Sequence, residues 1–212
     1  RSHFDTVTFL GDSITEGMEC YATGYQNAHV RAYRGAGPES VVYNTTVKDH
    51  IRNVQEPAFD AVVETQPDAL YILFGTNTLV NGSEDTATKF ITYYEKMIDM
   101  FHESLPNVPI YVQSIPPVRP SAAAKKPGLA SDVLRGVNEQ LAQLAASKGC
   151  VYLDLWEALA DGEGNLKEML AAPDGVHLSA GNGYGAWVTY LRNHAKYSAD
   201  NSWTMGSAYS AQ

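Results

Sequence analysis

Five short runs of aliphatic and β-branched residues punctuate the chain: TVTFLG near 6–11, SVVYNT near 40–45, ALYILFG near 69–75, PIYVQSI near 109–115 and VYLDLW near 151–156. Several are apolar without a break, the pattern of strands covered on both faces of a parallel sheet. Between them the period changes to three and four. Phe90, Tyr94, Met97, Ile98 and Phe101 recur at helical spacing within TATKFITYYEKMIDMFHESLP, and Pro106 follows the end. A second helix is expected from Ser131 to Lys148, with Ser131 as its cap, apolar Val133, Leu134, Val137, Leu141, Leu144 and Ala145, and Gly149 as its stop. A last helix is expected over Ala180 to Ala195.

Strands alternating with helices predict an α/β fold, a three-layer α/β/α sandwich around a five-stranded parallel sheet. Right-handed crossovers leave a flavodoxin-like open sheet as the simplest topology. The 212 residues suit one domain, expected over 1–197, with a small polar tail over 198–212. PPVRPSAAAKKPG (116–128) is read as a mobile rim loop after the fourth strand rather than a linker.

Charge narrows the classes of partner. With 15 basic against 24 acidic residues the formal charge is −9, which argues against nucleic acid or an anionic membrane surface. No apolar stretch reaches the roughly 20 residues of a transmembrane helix. Cys20 and Cys150 fit no metal spacing and lie far apart, leaving both their pairing and the compartment open. His29, His50, His102 and His194 have no ligand partners at metal-like spacing and read as packing or helix-surface residues.

In sheets of this kind ligands gather at the carboxyl ends of the strands. Three such ends are unusual together: Gly11-Asp12-Ser13 after the first strand, Gly75-Thr76-Asn77-Thr78 after the third, and Asp174-Gly175-Val176-His177 near the end of the chain. Ser13 has two readings. It caps the following helix in a capping box with Glu16, or it presents a nucleophile at a helix N-terminus whose partial positive charge favours a developing anion. His177 suits the second, because a serine nucleophile needs a base that titrates near neutrality. Asp174, three residues earlier across a glycine turn, is placed to orient that base. Asn77 leaves the sheet edge where an oxyanion donor is wanted, although a lone Asn at a strand end also serves as a turn former. Asp12 reads as a brace for the turn, and Asp154 as the acceptor of a loop hydrogen bond.

Taken together, GDSIT, FGTNT and DGVHLS resemble the signatures of the SGNH (GDSL-type) esterase and lipase family, in the family's order and across nearly the whole chain. The resemblance implies a flavodoxin-like fold and ester hydrolysis through an acyl-enzyme, with no metal or organic cofactor. Ser13 is then the nucleophile, His177 the base and later the acid, and Asp174 its orienter. The Ser13 backbone N–H and the Asn77 side chain become oxyanion donors, each typically worth about 3 kcal/mol in the transition state. Two departures stand out. The family's glycine-bearing N-x-G-x-x-G-D turn after the second strand corresponds here to NTTVKDH (44–50), which has no glycine. Direct alignment puts Asp49 at the third oxyanion donor, and a one-residue gap puts Lys48 there. Thr78 stands where the family favours Asp.

The expected substrate is a small-molecule or glycan ester, with acetyl groups on carbohydrate favoured and Tyr21, Tyr25, Tyr184 and Trp187 as a candidate sugar platform. A lysophospholipase-like long-chain hydrolase is the alternative, and a catalytically weakened glycan-binding module is the rival from another class. A flavin or phosphoacceptor domain shares the fold class but needs a phosphate loop or acidic pocket, and GNGYG (181–185) leads into a helix without following a strand. Localisation is open: an extracellular glycan substrate favours a secreted or cell-surface enzyme, with the cytoplasm as the alternative. The oligomeric state is not legible.

Overall fold

The computed structural model describes residues 3–21 and 25–195, so the expected tail over 198–212 lies outside the described residues. Seven strands are described: β1 Val7–Gly11, β2 His29–Ala32, β3 Thr46–Asp49, β4 Val54–Pro57, β5 Ala69–Leu73, β6 Ile110–Gln113 and β7 Val151–Leu153. The helices are α1 Ser13–Tyr21, α2 Pro38–Val42, α3 Ala58–Val63, α4 Glu84–Ser104, α5 Pro120–Ala123, α6 Ser131–Ser147, α7 Trp156–Leu159 and α8 Asn182–Asn193.

Five strands form one parallel sheet in the order β2-β1-β5-β6-β7. Counted among themselves in chain order they run 2-1-3-4-5, the flavodoxin-like arrangement, whose switch point lies between β1 and β5. Alternate residues supply the two faces. Leu10, Leu70, Ile72, Ile110 and Val112 pack against α2, α3, α4 and α6. Phe9, Tyr71, Leu73, Tyr111 and Leu153 pack against α1, α7 and α8. Covering on both sides explains why these strands are apolar at consecutive positions.

The helical stripe of α4 is buried at all five expected positions, and Ser83 caps the helix by accepting from the Thr86 N–H at 3.1 Å. In α6 the cap position falls on Ala130, without a side-chain bond, and Ser131 is the first helical residue instead of the cap. Gly149 closes α6 at φ 67°, a conformation that favours glycine.

The second strand is not where the apolar run put it. Residues 40–45 fall on α2 and the turn after it, started by Pro38 at the first helical position. Burial there is one-sided, with Val41 buried at 0% exposure and Tyr43 64% exposed, which suits a helical turn against α4 and not a strand covered on both faces. The sheet's true second strand, β2, is an edge strand that pairs only with β1. Its residues alternate exposed and buried, so His29 and Arg31 break the apolar signal.

NTTVKDH supplies β3, which pairs with β4 as an antiparallel hairpin outside the main sheet. Asp49 Oδ1 accepts from the Ile51 and Arg52 N–H groups at 3.0 and 2.8 Å and closes its turn. Arg52 then pairs with both Asp49 and Glu56, and the Tyr33 hydroxyl donates to Glu56 at 2.7 Å, tying the hairpin to the loop after β2. The 116–128 segment is tied down as well. It carries α5 and leads into a 3-10 turn over Pro127–Leu129, buries Val118 and Ala122, and donates from the Gly128 N–H to the Val80 carbonyl at 3.2 Å. Among the described residues no helix is long and apolar enough to cross a membrane.

Candidate active site

β1 ends at Gly11, where close approach fixes the residue: a Cβ there would lie 2.1 Å from Thr15 Oγ1 and 2.7 Å from the Leu73 carbonyl. The chain turns at once into α1. Asp12, not Ser13, caps the helix, its Oδ1 accepting from the Ile14 N–H at 2.9 Å and its carbonyl from the Glu16 N–H at 3.0 Å. Glu16 closes no capping box. It faces Arg34 across a two-point ion pair, with Nε at 3.0 Å from both carboxylate oxygens and Nη2 at 2.7 Å from Oε1. Ser13 is therefore left with its hydroxyl free of capping duty.

That hydroxyl meets His177. Ser13 Oγ lies 2.8 Å from His177 Nε2, and His177 Nδ1 lies 2.5 Å from Asp174 Oδ2. The segment holding these partners is a closed local turn: Ala171 and Leu178 pair as an isolated antiparallel bridge, the Gly175 N–H donates to the Ala172 carbonyl, and Gly175 sits at φ 73°. Asp174 Oδ1 accepts from the Val176 and His177 N–H groups, both at 2.9 Å. Partial burial opposes the charge on Asp174, but the hydrogen bonds from the His177 ring and from these two amides outweigh it and hold the carboxyl below its ordinary range. An ionised carboxylate only accepts, so Nδ1 carries the hydrogen and Nε2 is left to accept from Ser13. The loop after β6 buttresses this turn, because the Arg119 N–H donates to the Gly175 carbonyl at 2.8 Å.

Asn77 arrives from the end of β5. Gly75 makes the turn at φ 137°, and its carbonyl accepts from the Thr78 and Leu79 N–H groups at 3.2 and 3.1 Å. The Asn77 Nδ2 donates to Asp12 Oδ2 at 3.0 Å, which uses one of its two hydrogens. Asp12 is 1% exposed, and burial pushes its carboxyl up from 3.8 to about 6, against the lowering effects of the Ile14 N–H, His177 and Asn77. The Ser13 N–H at the start of α1 has no acceptor among the described residues.

Asp49 and Lys48, which the alignment offered for the third oxyanion donor, lie in β3 of the hairpin and not in the loop after the sheet's second strand. Asp49 is 2% exposed with its carboxylate taken up by its own turn, and Lys48 is paired in register with Gln55. The loop that follows the sheet's second strand is Tyr33 to Gly37, YRGAG. It does contain glycines, with Gly35 at φ 75°. Gly37 lies against Thr78, where a Cβ would come 2.6 Å from Oγ1, and its N–H has no acceptor among the described residues. Two glycines directly after HVRA were the available signal, hidden by placing the second strand at 40–45.

Two clefts open beside these groups. A wide one of about 780 Å³ holds Ser13 and His177, with Arg34, Tyr21, Ile51 and Leu178 on its walls. A narrower one of about 430 Å³ begins at Gly37, Asn77 and Thr78. Of the expected aromatic platform only Tyr21 is exposed, since Tyr25, Tyr184 and Trp187 belong to the core. Tyr184 instead donates to the Ile14 carbonyl at 2.8 Å and Trp187 to Gln113 Oε1 at 2.8 Å, fixing α8 against α1 and the sheet. Cys20 is exposed and Cys150 buried, and both are free thiols. Asp154 accepts from the Trp156 N–H at 3.1 Å.

The described geometry can be compared with known proteins. In fold the chain is similar to a GDSL-like lipase from Bacteroides thetaiotaomicron, with a TM-score of 0.68, 17% identity and 89% of this chain and 86% of that one covered. It is also similar to a lipase/acylhydrolase from Enterococcus faecalis (TM-score 0.62, 16% identity, 88% and 93% covered) and to an acetyl xylan esterase (TM-score 0.61, 18% identity, 88% and 98% covered). No curated protein matches the chain. The sequence profile of the GDSL-like Lipase/Acylhydrolase family matches residues 9–186, a span that runs from the middle of β1 through Ser13, Asn77 and His177 into α8. This chain belongs to that family of ester hydrolases.

Proposed function

We propose that this esterase removes short acyl groups, acetyl above all, from a hydroxyl-rich alcohol such as a carbohydrate, with Ser13, His177 and Asp174 as its triad. The observation that carries the reading is the unbroken hydrogen-bonded line from Ser13 Oγ to His177 Nε2 at 2.8 Å and from Nδ1 to Asp174 at 2.5 Å.

His177 takes the Ser13 proton as Oγ attacks the ester carbonyl. The oxyanion is held by the Ser13 N–H, the second Asn77 amide hydrogen and the Gly37 N–H, which takes the role that alignment had assigned to Asp49. His177 then protonates the leaving alcohol oxygen, and water activated by the same ring releases the acid.

Leaving-group protonation supports the choice of substrate. The departing oxygen has to face His177 Nε2, so the alcohol lies in the cleft that His177 lines, the wide one. Arg34 and Glu16 give that cleft a polar wall suited to hydroxyl groups. The acetyl xylan esterase of the same fold makes acetylated xylo-oligosaccharides the first natural-type esters to test.

Hydrolysis of p-nitrophenyl esters from acetate to palmitate, beside acetylated xylo-oligosaccharides, tests the reading in wild type and Ser13→Ala. It requires Ser13-dependent turnover that peaks at acetate. A peak at long chains would replace it with the lipid hydrolase, and turnover that survives Ser13→Ala would remove the assigned nucleophile.

A further inference from the structure

The narrower cleft extends well past the groups that the chemistry uses. From Gly37 and Asn77 it runs outward to Tyr43, at the end of α2, and Tyr93, on α4. Tyr43 stands largely in solvent. The two hydroxyls hydrogen-bond each other at 2.9 Å, and the rings lie 5.7 Å apart at 57°. The bond between the two hydroxyls ties together two side chains that both line the cleft, and Lys96 Nζ stands 5.2 Å from the centre of the Tyr93 ring.

Pro38 and Phe90 add apolar surface, and polar groups stand among them. Ser40 and Thr45 contribute hydroxyls, and Glu39 and Lys89 contribute charged groups, Lys89 being steadied by Asp85 at 2.9 Å. Fixed aromatic surface beside hydroxyl and charged groups matches the chemistry of a sugar ring, whose C–H face packs on an aromatic ring while its hydroxyls reach polar partners. An acyl chain would call for a continuous apolar wall, which this cleft lacks.

Arg34 lines the wide cleft and the next residue, Gly35, lines the narrow one, so the two clefts are neighbours along the loop after β2. We propose that the cleft bounded by Tyr43 and Tyr93 is a second sugar subsite, so that the enzyme acts best on acyl groups carried by an oligosaccharide long enough to occupy both clefts. This rests on the acyl-carbohydrate reading above and adds a chain-length requirement to it.

The test compares kcat/KM for an O-acetylated tetrasaccharide and for the matching O-acetylated methyl glycoside, in wild type, Tyr43→Ala and Tyr93→Ala. Met169→Ala serves as a control, an exposed apolar residue that lines neither cleft. Wild type and the control should prefer the tetrasaccharide by about tenfold, the equivalent of one good aromatic contact. Each tyrosine substitution should bring that ratio toward one, chiefly through KM, with the far-UV spectrum unchanged. Equal rates on the two substrates in wild type, or a preference that survives both substitutions, would overturn the subsite and leave the esterase reading standing. Absence of Ser13-dependent hydrolysis of any acetyl ester would overturn both.

Discussion

Asn77 is held in the active site by Asp12. One carboxylate oxygen of Asp12 accepts from the Asn77 amide at 3.0 Å, and the other accepts from the Ile14 N–H at 2.9 Å, at the start of the helix that carries Ser13. A single buried side chain thus sets the helix of the proposed nucleophile and the proposed oxyanion donor in one frame. In Asp12→Asn a donor would face a donor, and the Asn77 amide must flip to pair, turning its N–H groups away from the oxyanion. We expect kcat to fall about 10²-fold, close to the loss in Asn77→Ala, with KM little changed. The Asp12→Asn/Asn77→Ala double variant should be no slower than either single, as steady-state kinetics on p-nitrophenyl acetate can show.

The same carboxyl gives stability a pH dependence. Burial raises it from 3.8 to about 6, so the folded protein holds the Asp12 proton to higher pH than the unfolded chain does. More protons are bound in the folded state between pH 4 and 6, and stability therefore falls as pH rises through that window, by about 3 kcal/mol from this one group. Asp12→Asn has no such titration. Thermal melts of the two proteins should show the difference in Tm moving in the variant's favour from pH 4 to pH 6.5 and then levelling. A difference that stays flat across the window would contradict the assignment.

Gly37 is constrained by space and not by dihedral angle. Its φ of −143° is open to any residue, but a Cβ would lie 2.6 Å from Thr78 Oγ1. Gly37→Ala should push the turn away from Asn77 and lower kcat at least about tenfold if its N–H is an oxyanion donor. Thr78→Ala removes the obstructing atom, so the double variant Gly37→Ala/Thr78→Ala should recover much of the rate. Equal activity of wild type and Gly37→Ala would remove this residue from the oxyanion hole.

Asp174→Asn tests the orientation of the imidazole. The asparagine carbonyl can keep the Val176 and His177 N–H bonds, but its amide would donate to Nδ1 and leave the hydrogen on Nε2, facing Ser13. The expected loss is about 10³–10⁴-fold in kcat with the fold retained, because the base is then in the wrong tautomer. A loss under tenfold would mean that Asp174 does not govern the ring.

How far the chain could be read in advance followed from local packing. β1, β5 and β6 announce themselves because the sheet is covered on both faces there, leaving no polar position to interrupt them. β2 escapes because it is an edge strand of four residues with His29 and Arg31 in it, whereas residues 40–45 look like a strand but make one helical turn behind Pro38. That exchange propagated to the site. Ser13, Asn77, Asp174 and His177 each sit in a short motif whose geometry is made within a few residues, so the sequence exposes them. The glycine turn is defined only by which strand precedes it, and with the second strand expected at 40–45 the alignment fell on Asp49 and not on Gly37, the donor proposed above. The roles of Asp12 toward Asn77 and of Glu16 toward Arg34 are pairings across 65 and 18 residues, with no local pattern to reveal them.

If Ser13 is the nucleophile, the acyl group passes through a covalent ester on its Oγ. Wild-type enzyme mixed with p-nitrophenyl acetate, quenched in acid during the first turnovers, digested and analysed by mass spectrometry should carry one acetyl group on the peptide that contains Ser13. The same peptide from Ser13→Ala should be unmodified and that variant's turnover lost. Acetyl found on another residue, or turnover in Ser13→Ala equal to wild type, would contradict the account.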